Sequence, residues 1–301
     1  MYERIEPVGS DAVIYLAARI SRSSKSLKEL IEELEDLALV KRLIKSLFTL
    51  GHLSVFEHSL VRVHLKEDLN ELRKVFFEFK YVELSDENGA VASFNLRTAL
   101  EMMQSENKFL RDLAVRSITN FPVLASILGL KPERQPDLTI SLGEKVEQDG
   151  ICVYPVIRSD YPNEKHAFFS FVVEGISRVC SHQFVRHRTL SFTQQSQRHV
   201  KPGNFYLPKN LKDNVINLMI KGVKDSFSLY EKLVGMGVKK EDARYVLSQA
   251  TSTRVFVSGR KRAWDHFLDL RLDPSAQAEI RKVAKMISHF IRKDEYRISE
   301  E

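Results

Sequence analysis

The chain has 301 residues, of which 43% are hydrophobic and 29% charged, with a formal net charge of +6. That apolar content supports a substantial core and excludes global disorder. A pI near 9.1 suits an anionic partner, and the modest excess, spread along the chain, fits a phosphorylated metabolite as well as it fits nucleic acid. Cys152 and Cys180 form neither a disulfide framework nor a metal pattern. Met1 to Pro7 lacks a basic region followed by an apolar core, and no apolar run approaches the roughly 20 residues of a membrane span. These features predict a soluble protein of a reducing compartment, the cytoplasm.

Asp11 to Ile20 is predicted helical, with Ser10 as its cap. Leu27 to Leu50 is one long amphipathic pattern, with Leu30, Ile31, Leu34, Leu37 and Val40 in near-helical spacing, and Gly51 ends it. The block Gly51-His52-Leu53-Ser54-Val55-Phe56-Glu57-His58 follows. Isolated histidines such as His52 and His58 are expected to pack and hydrogen-bond locally. Zinc is a poor reading, because the nine histidines show no ligand spacing. Ser59 to Leu65 alternates apolar and polar residues and predicts a strand, with Val61, Val63 and Leu65 inward.

Residues 67–165 have a pattern of their own: a helix near Asp68 to Phe79, a short strand near Val91 to Phe94, and helices from Asn95 to Met103 and Lys108 to Ile118. A Pro-, Gly- and charge-rich loop spans Lys131 to Gly150, and Ile151 to Ile157 is a candidate strand. Val91-Ala92-Ser93-Phe94-Asn95-Leu96-Arg97 and Phe256-Val257-Ser258-Gly259-Arg260-Lys261-Arg262 share a form: an apolar strand, a small-residue turn, then polar-x-Arg opening a helix. A seven-residue echo is weak evidence of a repeat, and we read it as chance.

Ala167 to Val173 is an apolar strand and Ile176 to Val185 an amphipathic helix with Gly175 at its start. From these emerges Arg186 to Arg198, dense in Arg, Gln and Ser, with no apolar period. Arginine forks match phosphate, and Gln and Ser add neutral donors and acceptors, so a polar cluster mounted on apolar elements predicts an anion-binding site. Further on, Leu211 to Met236 predicts a helix, Glu241 to Leu247 another, Thr253 to Val257 a strand, Ala263 to Leu270 a helix, and Pro274 the start of a last helix to Arg292.

Arg186-His187-Arg188, seven residues, then Ser196 resembles the signature of the flavin-dependent thymidylate synthases, the ThyX family. Ala17 to Ser21, Gly51 to His58, Gly175 to Arg178, Ser181 to Gln183, Ala243 to Leu247, Leu268 to Arg271 and Ala276 to Ile280 also look like that family. The resemblance covers about 22–66 and 166–290. It implies an α+β fold, an antiparallel sheet flanked by long helices, with 1–66 and 166–301 as the family domain and 67–165 as an inserted α/β subdomain.

The resemblance also implies an activity: methylation of dUMP to dTMP, with FAD as cofactor and methylenetetrahydrofolate and NADPH or NADH as co-substrates. It implies a homotetramer acting on small molecules, dUMP and folate, with neither nucleic acid nor membrane as partner. On this reading Arg198 and Arg244, with Ser196, take the phosphate, and Gln183, Arg186, Gln194, Gln195 and Gln197 line the rest of the dUMP pocket. His52, Ser54, Arg186, His187, Arg188 and Gln194 meet the flavin, together with Arg260, Arg262 and His266. Arg271 is the catalytic residue, favouring the ionised uracil ring. No G-x-G-x-x-G is present, so FAD is not expected on a Rossmann turn.

No protein nucleophile is required. Cys180 falls on the apolar face of its helix and reads as a small buried hydrophobe, and Ser191 and Ser196 lack a G-x-S-x-G elbow. Two alternatives stand beside this reading. One is a nucleic-acid-binding protein using the basic Arg186 to Arg198 stretch, although that stretch lacks interleaved aromatics for base stacking. The other is a family member that has lost activity, because Arg260 and His266 stand where the family has asparagines.

Overall fold

In the computed structural model, which describes residues 2–87 and 89–292, the chain opens with β1 (Tyr2–Val8), α1 (Asp11–Arg22), α2 (Leu27–Glu32), α3 (Leu37–Thr49) and β2 (Leu60–Leu65). Next come α4 (Leu69–Val75), β3 (Glu83–Asp86), β4 (Ala90–Asn95), α5 (Leu96–Met102), α6 (Lys108–Ile118) and α7 (Pro122–Ile127). The second half runs β5 (Val146–Gln148), β6 (Ile151–Ser159), β7 (Phe168–Ser177), α8 (Arg178–Phe184), β8 (Ser191–Gln194) and α9 (Asp213–Gly235). It ends with α10 (Lys240–Ala243), β9 (Ser252–Arg260), α11 (Lys261–Arg271) and α12 (Ala278–Ile291). The tail of the domain expected over 166–301 lies outside the described residues from 293 on.

Helices pack on antiparallel sheets, as an α+β fold requires, and the described residues form two of them. Their strand orders are β1-β2-β4-β3 and β5-β6-β7-β9-β8. Residues 67–165 supply β3 and β4 to the first sheet, where β4 pairs with β2, and β5 and β6 to the second, where β6 pairs with β7. The hydrogen-bond ladders therefore run across positions 66 and 166. One core lies between the first sheet and α1, α3, α5, α6 and α7, around Tyr15, Phe56, Phe94 and Phe121. A second lies under α8, α11 and α12, around Phe171, Phe184, Trp264 and Phe267. Leu16, Phe168, Val172 and Phe256 join the two. Each such aromatic, fully removed from water, contributes roughly 2–3 kcal/mol.

Several local expectations are corrected. Leu27 to Leu50 is not one helix: the backbone turns out at Asp36 (φ −91°, ψ 88°), whose carboxylate accepts from Leu39 N at 2.9 Å and caps α3. The apolar period passes through the break because both helices face the same core. Ser10 stands at the start of α1, but its side chain caps nothing. The neighbouring Asp11 carboxylate instead accepts from Val123 N (2.9 Å) and Leu124 N (3.1 Å) at the start of α7, and burial pushes its pKa up to about 6. Gly175 does not open a helix. It is a bulge in β7 at φ +82°, and a Cβ there would stand 2.1 Å from Gly150 O. Ser177 caps α8, its hydroxyl accepting from Cys180 N at 3.0 Å. Glu241 to Leu247 holds only the single turn of α10 and a 3-10 turn, and α12 starts at Ala278 rather than at Pro274.

The sheets are tied by two buried histidines. His58, ending the 3-10 turn before β2, lies with Nδ1 2.7 Å from Ser258 Oγ and Nε2 2.8 Å from Thr193 Oγ1, both on the second sheet. His166, just before β7, lies with Nδ1 2.7 Å from Ser93 Oγ and Nε2 2.7 Å from Ser85 Oγ, both on the first. Burial holds His58 neutral, at about 3, and His166 at about 4.

A group whose folded pKa is depressed stabilises the fold above its unfolded pKa and loses that contribution as pH falls. Each of these histidines should cost roughly 2 kcal/mol at pH 5 relative to pH 7.5. Asp11, shifted the other way, should return roughly 1 kcal/mol over the same window. Urea midpoints should stay level from pH 7.5 to 7 and then drop towards pH 5. Equal midpoints at pH 7.5 and pH 5 would contradict neutral sheet-joining histidines.

Candidate active site

The Arg186 to Arg198 stretch leaves α8 and immediately pairs with β9 as the edge strand β8. No period marks β8 because Thr193, held by His58, is its one buried residue, while Ser191, Phe192 and Gln194 are half-buried. Rigid pairing on β9 holds the polar residues on either side of the strand in place.

On one side opens a cleft of about 450 Å³. Arg188, Arg260, Arg262 and His266, expected around one cofactor, all line it. Also lining it are Lys80, Tyr81 and Lys165, which the sequence did not point to, and Asn95, which the sequence leaves open as a replacement for the asparagine missing at Arg260. Of its two carboxylates, Glu57 is already engaged, accepting from Arg97 Nη1 (2.7 Å) and Ser191 Oγ (2.8 Å). Arg260 is turned inward, its Nη2 donating to Ser93 O (2.6 Å) and Tyr81 O (3.2 Å). The excess of cations beside Leu60, Phe168 and Leu190 suits a ligand with both phosphates and a planar apolar ring.

On the other side two adjoining clefts, about 570 and 370 Å³, share Arg178 and Gln197. Ser196 and Gln195 line the larger, and Arg244 and His182 the smaller. Among the described residues no carboxylate lines the smaller one, although two guanidiniums do, while Asp149 and Glu174 line the larger. Arg178 donates through Nη2 to Gln195 O at 2.9 Å, while its Nε is buried with no hydrogen-bond partner. Burial first, and Arg244 second, hold Arg178 below its ordinary value. Two cations facing each other without an internal anion form a site for an external one. Sequence reasoning noted Arg178 in a family-like block but gave it no role. Its burial, the signal that marks it, arises only when β7, α8 and β9 meet.

Arg271 lines none of these three clefts and is held against α8 and His187. Its Nε donates to His187 Nε2 at 3.0 Å and its Nη2 to Gln183 O at 3.4 Å. His187 must therefore accept at Nε2, so its proton sits on Nδ1. Burial, then Arg271, then His266 push His187 down to about 4. Gln183 Nε2 donates to Gln277 Oε1, and Gln194 Nε2 to Ser181 Oγ at 2.8 Å. Gln195 Nε2 donates to Ser23 O at 3.1 Å.

Gln183, His187 and Gln194 line none of these clefts either, and four more expected site residues stand apart at the surface. His52, Ser54 and Arg186 are exposed and line none of these clefts. Arg198 is exposed and ion-paired with Glu241 at 3.1 Å. Cys180 is fully buried, and burial raises its thiol well above the ordinary range, which leaves it inert.

The family described as thymidylate synthase complementing protein matches residues 161–294. The chain is 36% identical over 166 residues to the flavin-dependent thymidylate synthase of Pyrococcus abyssi, covering 51% of this chain and 68% of that one. It is 41% identical over 164 residues to that of Pyrococcus horikoshii, covering 50% and 68%. It is also 41% identical over 142 residues to that of Pyrococcus furiosus, covering 44% of this chain and 58% of the relative. Matched residues thus span little more than half the length of the Pyrococcus furiosus and Thermococcus onnurineus relatives. By the extent of its match to the Pyrococcus abyssi and Pyrococcus horikoshii proteins, the chain belongs to the flavin-dependent thymidylate synthase family.

Proposed function

We propose that the protein is a flavin-dependent thymidylate synthase of ThyX-type fold, converting dUMP to dTMP with FAD as cofactor. Methylenetetrahydrofolate provides the carbon, and bound flavin supplies a hydride taken from NADPH or NADH. The observation that carries this reading is the pairing of Arg178 with Arg244 in a cleft without a carboxylate, next to Ser196 and Gln197. A nucleotide monophosphate brings nearly two negative charges and three acceptor oxygens, and this is a place for them. The other cleft suits FAD: Arg188, Arg262 and Lys80 would hold its diphosphate, and Tyr81 and Phe168 offer apolar surface for its ring.

Arg271 is the catalytic residue of this proposal. A fixed cation beside the uracil ring stabilises the ring anion, and the ionised ring is the better carbon nucleophile. Arg271 is positioned for such a task by His187, which is neutral and accepts from its Nε. Gln183, Gln194 and Gln195 are each held in place by a hydrogen bond, and of the three Gln195 lines a cleft. Homotetrameric assembly completes the proposal. His52, Ser54 and Arg186 are left on the surface, and so are apolar residues around α9: Leu218 is 72% and Tyr245 85% exposed. Two free cysteines suit a cytoplasmic setting.

Arg178→Ala and Arg244→Ala should each weaken dUMP binding by about 1.5–3 kcal/mol, roughly ten- to hundred-fold, while leaving flavin bound. Arg198→Ala should cost less, because that guanidinium is exposed and already occupied by Glu241. Calorimetry with dUMP reads all three, and unchanged affinity in both Arg178→Ala and Arg244→Ala removes the phosphate from this cleft.

Arg271→Lys should do more harm than a charge-conserving change suggests, since lysine lacks the planar fork that reaches His187 and the ring together. The loss should fall on dTMP formation, with NAD(P)H oxidation by the bound flavin largely kept. Measuring the two half-reactions separately decides the matter. Wild-type dTMP formation would exclude Arg271 from the chemistry, and loss of both reactions together with the flavin would make it a structural residue.

A further inference from the structure

The echo between Val91 to Arg97 and Phe256 to Arg262, read from sequence as chance, occupies matching places in the two sheets. β2 pairs with β4 so that Leu60 faces Asn95, and β7 pairs with β9 so that Phe168 faces Arg260. On the far side of each inner strand, Ser85 faces Val91 and Thr193 faces Phe256. At the outer edge, Val8 faces Leu60 and Ser159 faces Phe168. One constant offset carries His58 to His166, Leu60 to Phe168 and Ser85 to Thr193. A second carries Ser93 to Ser258, Asn95 to Arg260 and Arg97 to Arg262.

Hydrogen bonds outside the ladders obey the same mapping. Leu96 N donates to Ser59 O at 2.9 Å, and Lys261 N to Ala167 O at 3.0 Å. The two histidines follow it too, and reciprocally. His58 of the first unit grips Thr193 and Ser258 of the second, while His166 of the second grips Ser85 and Ser93 of the first. Contacts in which i meets j′ and j meets i′ are those of a two-fold dimer. Little sequence survives to show it beyond the histidines themselves and the pairs Phe76 and Phe184, Ser93 and Ser258, and Arg97 and Arg262.

The cleft of about 450 Å³ lies across this junction. Its walls are the matched positions: Lys80 opposite Arg188, Tyr81 opposite Thr189, and Asn95 opposite Arg260. The copies are unequal, because the first has Glu78-Phe79-Lys80 where the second has Arg186-His187-Arg188. Asn95 Oδ1 accepts from Thr98 N at 2.8 Å and Thr98 Oγ1 at 3.0 Å, while its Nδ2 makes no hydrogen bond among the described residues.

We infer that residues 53–102 and 161–271 are two diverged copies of one unit, joined within a single chain as the halves of a dimer, and that the flavin cleft is their junction, with Lys80 and Asn95 of the first copy contacting the cofactor. The ligand class is a dinucleotide with a diphosphate and a planar ring. This rests on the flavin reading proposed above. Lys80 meets phosphate, Asn95 offers an amide donor, and only the second copy carries the R-H-R run, so each chain holds one flavin and not two.

The test is titration of the full-length protein with FAD, followed by quenching of flavin fluorescence. Wild type should bind one FAD per chain. Lys80→Ala, an exposed position, and Asn95→Asp, which keeps the acceptor for Thr98 but loses the amide donor, should each weaken binding at least ten-fold. Arg188→Ala, on the opposite wall, is the reference and should weaken it too. If Arg188→Ala weakens FAD binding while Lys80→Ala and Asn95→Asp bind as wild type does, the first copy is no part of the site and the inference is overturned with the flavin reading intact. Two FAD per chain would overturn the inequality of the copies. A wild type that binds no FAD overturns the flavin reading itself.

Discussion

The structure depends on two neutral imidazoles exchanged between two sheets. His58 and His166 each leave one unit and use both ring nitrogens on serine or threonine hydroxyls of the other. A neutral imidazole has one donor and one acceptor, and a hydroxyl can answer either, so both sites are satisfied without a charge. Burial makes the protonated form costly and the hydrogen bonds hard to exchange for water. Everything that forms a cleft follows from this joint. It sets β8 and β9 against the turn that carries Glu57, and it brings Lys80 to the same opening as Arg188.

The same economy of charge governs Arg271. His187, buried and held neutral, can only accept from a guanidinium that never deprotonates, and the contact fixes the direction of the fork. Phe267 supports the arrangement from below, its ring 5.0 Å from that of His187. Arg178 is organised differently. It has a carbonyl on one nitrogen and an unpartnered Nε, and a second arginine stands near it. A positioned guanidinium and a frustrated one are different devices, the first for direction and the second for attracting an anion.

Much of the fold was legible in the sequence, and the failures have particular causes. β2, β7 and β9 are apolar enough to declare themselves, and α5, α6 and α11 keep their period. Asp36 breaks a helix without breaking that period, so the break was invisible. β8 is an edge strand with a single buried residue, and edge strands carry little apolar signal. The signature residues around Arg188 were legible by resemblance, whereas Lys80 and Arg178 were not assigned, because what qualifies each is the element folded against it. Arg198 shows the converse: a basic residue in the expected place, but drawn outward by Glu241.

The two copies also show how a repeat disappears from a sequence while its geometry persists. The matched histidines remain because each has two partners to satisfy on the opposite sheet. Elsewhere the junction is held by arginines that have no arginine counterpart. Arg62, matched by Ser170, donates through Nε to His166 O at 2.9 Å and through Nη2 to Ser159 Oγ at 2.8 Å, with Tyr161 stacked 4.7 Å from its guanidinium carbon. Arg260, matched by Asn95, reaches the other way to Ser93 O. Burying a guanidinium is costly unless carbonyls and hydroxyls receive it, and here each unit supplies receivers for the other's arginine. A symmetric junction would have forced like charges together at equivalent positions. Placing one arginine in each unit at inequivalent positions joins the halves, breaks their equality and leaves an asymmetric cationic cleft between them.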